Sequence, residues 1–526
     1  MKKEELLKFC LEKSILLDKD LLEVFSEASN FETVKLIIER VKTKSHKNFI
    51  TKEVLQSNKY FLKNFLSENS KNNDKLRELK IKLGLNLEIS TKTTNSFEKP
   101  NEFKENKVKV SSSSCPTFGR ALCVKDFVNY FRNRFNDLRV ILEENPKLKN
   151  LVSINRISGS RGNFSIIGII LEKRISKNKN IILEVEDLTG KVRILFSPQN
   201  SEVYEKAENI ALDSVLGFNC SGNGNFLFGK DIFFPEASLS SRKKSPVEEY
   251  ALFIGDIHYG SKNFMEKEFL NFIKYLNDLK NSEVAKIKYL FVIGDIVTGV
   301  GNYPNQEKDL VIGDLESQFQ NLAILLDKIR KDIKIIICPG NHDGVRLMEP
   351  QPIFDEKYAW PLYDLKNVIL VENPSHINIA NRGSFEGFEI LMYHGFSFPY
   401  YANNISSLIS EKSMNSPEKI MKYLLVNRHL APTHSSVQSY PCEKDPHLIK
   451  VVPDIFVSGH THKSGVFYHN NVLIISISTW ESFTPYQEKF GNKADYCKVP
   501  MINLKTRAVK ILDFEEDKSR GENENR

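Results

Sequence analysis

The chain has 526 residues, 41% of them hydrophobic, a length that suits about two to four packed domains with real cores. No run of eighteen apolar residues occurs, so no membrane-spanning helix is expected, and Met1-Lys2-Lys3-Glu4-Glu5 opens a charged helical pattern without a signal-peptide core. The formal net charge of +7 is compatible with a polyanionic partner without requiring one, and seven scattered cysteines with no Cys-x-x-Cys pair indicate neither a disulfide framework nor a zinc finger, which fits a reducing cytoplasm.

In chain order, residues 1–68 read as a helical N-terminal module. Leu6, Leu7, Cys10 and Leu11 recur at helical spacing, Val34, Ile37 and Ile38 follow a cap-like Asn30, and a third segment runs from Thr51 through Leu55 and Tyr60 to Phe65. Residues 69–119 are low in hydrophobicity and rich in Ser, Thr, Asn and Lys, which predicts a mostly disordered linker. Residues 120–150 hold an amphipathic connecting helix whose stripe is Phe127, Phe131, Phe135, Leu138 and Leu142. Lys125, Arg132, Arg134 and Arg139 lie off that stripe and are expected on a solvated face.

The period changes to that of strands over 151–240, at Phe164–Ile170, Asn180–Val185, Gly190–Phe196, Val215–Cys220 and Phe226–Phe234, which suggests an OB-type barrel. It has few strand-central aromatics, so a structural or subunit-contact role is as well supported as single-strand binding. From 247 to 515 an α/β pattern follows, with crossover helices marked by Phe269, Phe272, Ile273, Leu276 and Leu279, and by Leu315, Phe319, Leu322, Leu326 and Ile329. Residues 516–526 form a charged tail. The predicted class is a multidomain α+β chain.

Five apolar runs in the α/β region end in ligand-type residues: Leu252-Phe253-Ile254-Gly255-Asp256-Ile257-His258, Leu290-Phe291-Val292-Ile293-Gly294-Asp295, Ile336-Ile337-Cys338-Pro339-Gly340-Asn341-His342-Asp343, Leu391-Met392-Tyr393-His394-Gly395 and Phe456-Val457-Ser458-Gly459-His460-Thr461-His462. One histidine after a strand is more often a structural group than a ligand. Open α/β sheets, however, gather their ligands outside the carboxyl ends of the strands, so an ordered set of five such ends predicts one convergent site. Gly299-Val300-Gly301 lacks the Lys-Ser/Thr of a phosphate loop, and His376, His434, His447 and His469 fall outside the pattern and read as structural or surface groups.

The pattern Asp-x-His, Gly-Asp, Gly-Asn-His-Asp, His-Gly, Gly-His-x-His resembles that of the calcineurin-like, binuclear metallophosphoesterases. With Gly255-Asp256-Ile257-His258-Tyr259-Gly260-Ser261-Lys262 and Arg428-His429-Leu430-Ala431-Pro432, the wording is similar to the small subunits of archaeal family D DNA polymerases, in which the subunit is the proofreading 3′–5′ exonuclease. The resemblance implies a β-sandwich flanked by helices behind an OB barrel, and two divalent ions, Mn²⁺ first, with Fe²⁺, Zn²⁺ or Mg²⁺ as alternatives. It places Asp256, His258, Asp295 and His462 on one ion, and Asn341, His394 and His460, with Asp295 as the bridge, on the other. It gives His342 a role at the scissile phosphate, with Asp343 orienting its ring, while Arg346 suits either a phosphate contact or a structural ion pair. The implied partners are a large catalytic polymerase subunit, single-stranded 3′ ends of DNA and, through the complex, the sliding clamp; no membrane is implied. Thr298 departs from the family, whose polymerase members place an acid there. The alternatives are a stand-alone repair nuclease or phosphodiesterase, and a scaffold subunit with little activity of its own.

Overall fold

Leu6 and Cys10 lie four residues apart and so share one face of a helix, Lys3–Glu12, in which both are buried. The computed structural model describes residues 3–19, 49–50, 108–111, 121–157, 162–223, 226–482 and 493–515, with isolated positions between 22 and 42. The chain divides into two compact units, 1–103 and 104–526. In the first, β1 (Leu16–Leu17) pairs in parallel with β2 (Phe49–Ile50). The all-helical expectation fails there because the pairing joins residues far apart in the chain, which no local period encodes. The helical segment expected over Thr51–Phe65 lies outside the described residues.

The second unit begins with β3 (Lys109–Ser111), inside the stretch expected to be a linker. Short and polar, it is held by the ladder of a neighbouring strand, whose edge offers unpaired backbone donors and acceptors. The connecting helix follows at Val124–Glu143 and buries Tyr130, Arg134, Phe135, Leu138 and Leu142. Arg134 thus departs from the solvated-face expectation, whereas Lys125, Arg132 and Arg139 are exposed. Next come β4 (Gly162–Ile175), β5 (Ile181–Glu186), β6 (Lys191–Phe196), β7 (Val215–Asn223) and β8 (Phe226–Phe233). They close into a barrel in the order β4-β5-β6-β8-β7, filled by Ile166, Ile170, Leu183, Val185, Ile194 and Phe218.

The remaining eleven strands, together with β3, form two six-stranded sheets. They are β9 (Tyr250–Gly255), β10 (Ile287–Ile293), β11 (Lys334–Cys338), β12 (Val368–Leu370), β13 (Ser375–Ile379), β14 (Phe388–Tyr393), β15 (Ile455–Ser458), β16 (Gly465–His469), β17 (Val472–Ser476), β18 (Lys498–Asn503) and β19 (Val509–Asp513). The first sheet has the order β12-β11-β10-β9-β18-β19 and the second β16-β17-β15-β14-β13-β3. Every residue of β9, β15 and β17 is buried, which is why these strands read as unbroken apolar runs rather than alternating ones.

Phe253, Phe291, Ile336, Ile390, Met392, Ile455 and Leu473 meet in one core between the sheets, with Phe253 stacked on Phe291 at 5.2 Å. The helices Glu266–Leu276 and Leu315–Asp327 cover the outer face of the first sheet, and Phe398–Asn404 and Pro417–Asn427 that of the second. Leu279 lies beyond its helix and is 63% exposed, so it is not part of the crossover face. Strands β9 to β12 run parallel, as do β14, β15 and β17, so each set delivers its carboxyl ends to one edge. Among the described residues no helix is long and apolar enough to cross a membrane. Cys442 is disulfide-bonded, which the scattered cysteine spacing did not indicate.

Candidate metal centre

The five strand ends converge. Ligand-type atoms of Asp256, His258 and His462, of His258, Asp295 and His342, and of Asp295, His394 and His460 form three groups, each within 4.8 Å. The nitrogens His258 Nε2 and His462 Nε2 face each other at 3.1 Å, and the latter is 3.7 Å from Asp256 Oδ1. His394 Nε2 lies 3.2 Å from Asp295 Oδ2 and 3.0 Å from Asn341 Oδ1. All seven residues expected as ligands are therefore brought together, and His342 joins them.

The backbone is bent to achieve this. Asp256, His258, Asp295, His460 and His462 all have φ between 45° and 69°, a left-handed conformation that side chains other than glycine, asparagine or aspartate rarely adopt. Two glycines make the crowding feasible. Gly294 turns at φ 67°, where a Cβ would strike the His394 ring, and a Cβ on Gly340 would strike Asp295 Oδ1. Backbone donors fix the carboxylates. The His460 N–H donates to Asp256 Oδ2 at 3.0 Å, and the His342 N–H to Asp295 Oδ1 at 2.7 Å.

Burial, with the charge of neighbouring imidazoles, pushes His258 and His460 down to about 3 and His462 well below its usual range. These three are neutral imidazoles with lone pairs to give. Burial works against ionisation of Asp295, but His394 and then His342 outweigh it and hold this carboxyl well below the usual range. His394, lowered by burial, is raised by the Asp295 carboxylate to about 10, and burial raises Asp256 well above the carboxylate range. Two imidazole nitrogens at 3.1 Å can share at most one proton, and an ionised carboxylate stands between two such donor groups. Converging carboxylate, amide and imidazole donors fit a pair of divalent cations, whose binding would displace the protons that His394 and Asp256 favour in their absence.

A calcineurin-like phosphoesterase family model matches residues 251–464, the segment that carries all of these groups. The chain is 36% identical over 397 residues to the DNA polymerase II small subunit of Methanothermobacter thermautotrophicus, covering 74% of this chain and 80% of that relative. It is 34% identical over 417 residues to that of Archaeoglobus fulgidus (76% and 82%), and 36% identical over 405 residues to that of Pyrococcus furiosus (75% and 64%). This chain belongs to the DNA polymerase II small-subunit family.

Within this small-subunit chain the residues around the donors carry information that the motifs did not. Asp343, expected to orient His342, accepts instead from the backbone N–H groups of Val297 at 3.0 Å and Gly340 at 2.7 Å, tying the end of β10 to that of β11. The His342 Nδ1 lies 3.0 Å from the Thr298 carbonyl oxygen, to which its N–H donates, and Asn302 Nδ2 donates to that same carbonyl at 3.0 Å. Thr298 meets His342 through its main chain, whose carbonyl also accepts from Gln306 Nε2 at 2.9 Å. Arg346 donates to the carbonyl of Pro350 at 2.7 Å and stacks over Tyr440, and no ion pair of it is recorded among the described residues. Asn302 has no signal in the sequence, because its role depends on a loop conformation rather than on a strand end.

His447, from outside the pattern, and His429, from the Arg428–Pro432 stretch, are buried with Asp445, Glu349 and Arg134. His447 Nε2 is 2.7 Å from Glu349 Oε2, His429 Nε2 is 2.9 Å from Asp445 Oδ2, and Arg134 Nε is 2.6 Å from that same oxygen. The helix Val124–Glu143 is thereby anchored on the phosphoesterase domain.

Proposed function

We propose that this chain is the nuclease subunit of a heterodimeric DNA polymerase, hydrolysing phosphodiesters from the 3′ end of DNA while a large partner subunit carries out synthesis. The observation that carries the reading is the completeness of the donor set around Asp295, in a chain of the small-subunit family. A scaffold-only subunit has no need of seven converging ligands. The five-stranded barrel ahead of the phosphoesterase domain, taken as an OB barrel, suits a macromolecular partner rather than a small substrate.

In this reading Asp256, His258 and His462 would hold one ion and Asn341, His394 and His460 the other, with the Asp295 carboxylate available to both. When bound, the pair supplies Lewis-acid activation of water and neutralises charge at the phosphate. The ligand mixture of carboxylate, amide and imidazole favours Mn²⁺, Fe²⁺ or Zn²⁺, Mn²⁺ foremost, over Mg²⁺. His342, half-buried and held at Nδ1 by the Thr298 carbonyl oxygen, keeps Nε2 for the substrate, where it stabilises charge at the phosphate or protonates the departing 3′-oxygen. Asp343 acts on this site through the backbone it ties together. Single-stranded 3′ ends are the substrate form, and the clamp is reached through the complex.

The test uses purified protein, alone and with its large subunit, Mn²⁺ and a 5′-labelled primer bearing a 3′ mismatch. A ladder shortening from the 3′ end, lost in His460→Ala and in Asp295→Ala while the subunit complex stays intact, is the expected result. Normal degradation by either variant would refute the site, and no degradation by the complete complex would refute the nuclease.

A further inference from the structure

Gln351 and Asn373 are buried amides, 2% and 0% exposed, in segments that no motif covers. They face each other as an isolated antiparallel bridge, with the Gln351 N–H donating to the Asn373 carbonyl at 2.7 Å and the Asn373 N–H to the Gln351 carbonyl at 3.1 Å. Their side chains continue the contact. Asn373 Nδ2 donates to Gln351 Oε1 at 2.7 Å, which leaves one free end on each amide.

Both ends reach the metal centre. Asn373 Oδ1 accepts from the backbone N–H of His394 at 2.8 Å, and Gln351 Nε2 donates to the carbonyl of Gly340, next to Asn341, at 3.0 Å. One unbroken chain of hydrogen bonds thus runs from the main chain of His394 on the second sheet to the main chain of Gly340 on the first. The two residues that it spans, Asn341 and His394, have their side-chain donors 3.0 Å apart. The order of donors and acceptors has one direction, and an amide at each position, accepting at oxygen and donating at nitrogen, satisfies it.

We propose that Gln351 and Asn373 are positioning residues that set the separation of Asn341 and His394, and so the affinity of one of the two ion positions. The inference rests on the two-ion reading of the site. Outer partners that orient ligands commonly alter metal affinity by about 10–100-fold. The effect falls on the position built from Asn341, His394 and His460, because the hydrogen-bond chain touches no part of Asp256, His258 or His462.

The test is Mn²⁺ binding to the full chain by calorimetry, with electron paramagnetic resonance to detect the spin coupling of a close pair. Asn373→Ala and Gln351→Met are compared with Asn367→Ala. Asn367 is an equally buried amide, bonded to the Ile333 carbonyl at 3.0 Å, at the opposite end of β11. The expected result is two coupled ions in the wild type and in Asn367→Ala. In both test variants one ion binds normally, the second is weakened about 10–100-fold, and the coupling is lost at stoichiometric Mn²⁺. Wild-type binding of both ions in the test variants would overturn the proposal, and so would equal losses in Asn367→Ala, which would reveal a general packing effect. A wild type that binds no coupled pair would overturn the two-ion reading itself.

Discussion

His342 differs from the other imidazoles of the site in what holds it. A backbone carbonyl steadies one ring nitrogen, and its backbone N–H is anchored on Asp295. It is a chemical group rather than a ligand in the proposed mechanism, so His342→Ala is expected to lower kcat by about 10²–10⁴-fold, the usual scale of general acid–base catalysis, while Mn²⁺ affinity is retained. Calorimetry beside single-turnover cleavage checks this, and a parallel loss of metal would place His342 among the ligands. A second residue-scale expectation concerns His447. Burial lowers its pKa, but Asp445 and Glu349 outweigh burial and raise it to about 9. A raised pKa stabilises the fold fully below the unfolded value of about 6.5, and that contribution fades as pH rises through about 9. Its neighbour His429 is pushed down to about 3 by burial and by Arg134, so its contribution is lost as pH falls below about 6.5. Thermal unfolding from pH 6.5 to 9.5 is expected to show a falling Tm that His447→Gln flattens; an unchanged slope would refute the assignment.

At the scale of elements, the helix Val124–Glu143 turns on one side chain. Arg134 is 1% exposed and donates to Asp445 Oδ2 at 2.6 Å, to the Pro432 carbonyl at 2.7 Å and to the Tyr130 hydroxyl at 2.8 Å. Removing one member of a buried ion pair leaves the other charge uncompensated, at a cost of about 3–5 kcal/mol. Arg134→Met is therefore expected to lower the Tm sharply, and Arg134→Met with Asp445→Asn to recover part of the loss. Denaturant unfolding of both variants measures this, and a neutral single substitution would contradict it.

The same helix shows where the sequence was legible. Its apolar stripe marked the element correctly, but Arg134 looked like one more surface cation because its partner lies some three hundred positions away. The strands with ligand ends were readable for the opposite reason: β9, β10 and β11 carry apolar run, turn glycine and ligand in consecutive residues. Strand β3 was hidden among serines and lysines because the edge of β13 supplies its pairing, and β1 and β2 were hidden by their separation.

For the whole molecule, the proposed metal binding would be linked to folding, because the site joins the carboxyl ends of both sheets. A ligand that binds only the folded state stabilises by RT ln(1 + [L]/Kd), about 2.7 kcal/mol at a hundredfold excess over Kd. Mn²⁺ is expected to raise the Tm, chelation to reverse the rise, and Asp295→Ala to abolish it; scanning calorimetry with and without chelator decides. Five of the expected ligands stand at positive φ, which gives this linkage a further side. A left-handed residue other than glycine costs about 1–2 kcal/mol of backbone energy, so part of the fold's stability is held back at the positions that the chemistry needs. Laboratory evolution for heat resistance alone, without metal and without an activity screen, would find its easiest gains at His258, His460 and His462 by exchange for asparagine or glycine. A thermostabilised descendant obtained that way would keep the shape of the subunit and shed the donors on which the proposed nuclease depends.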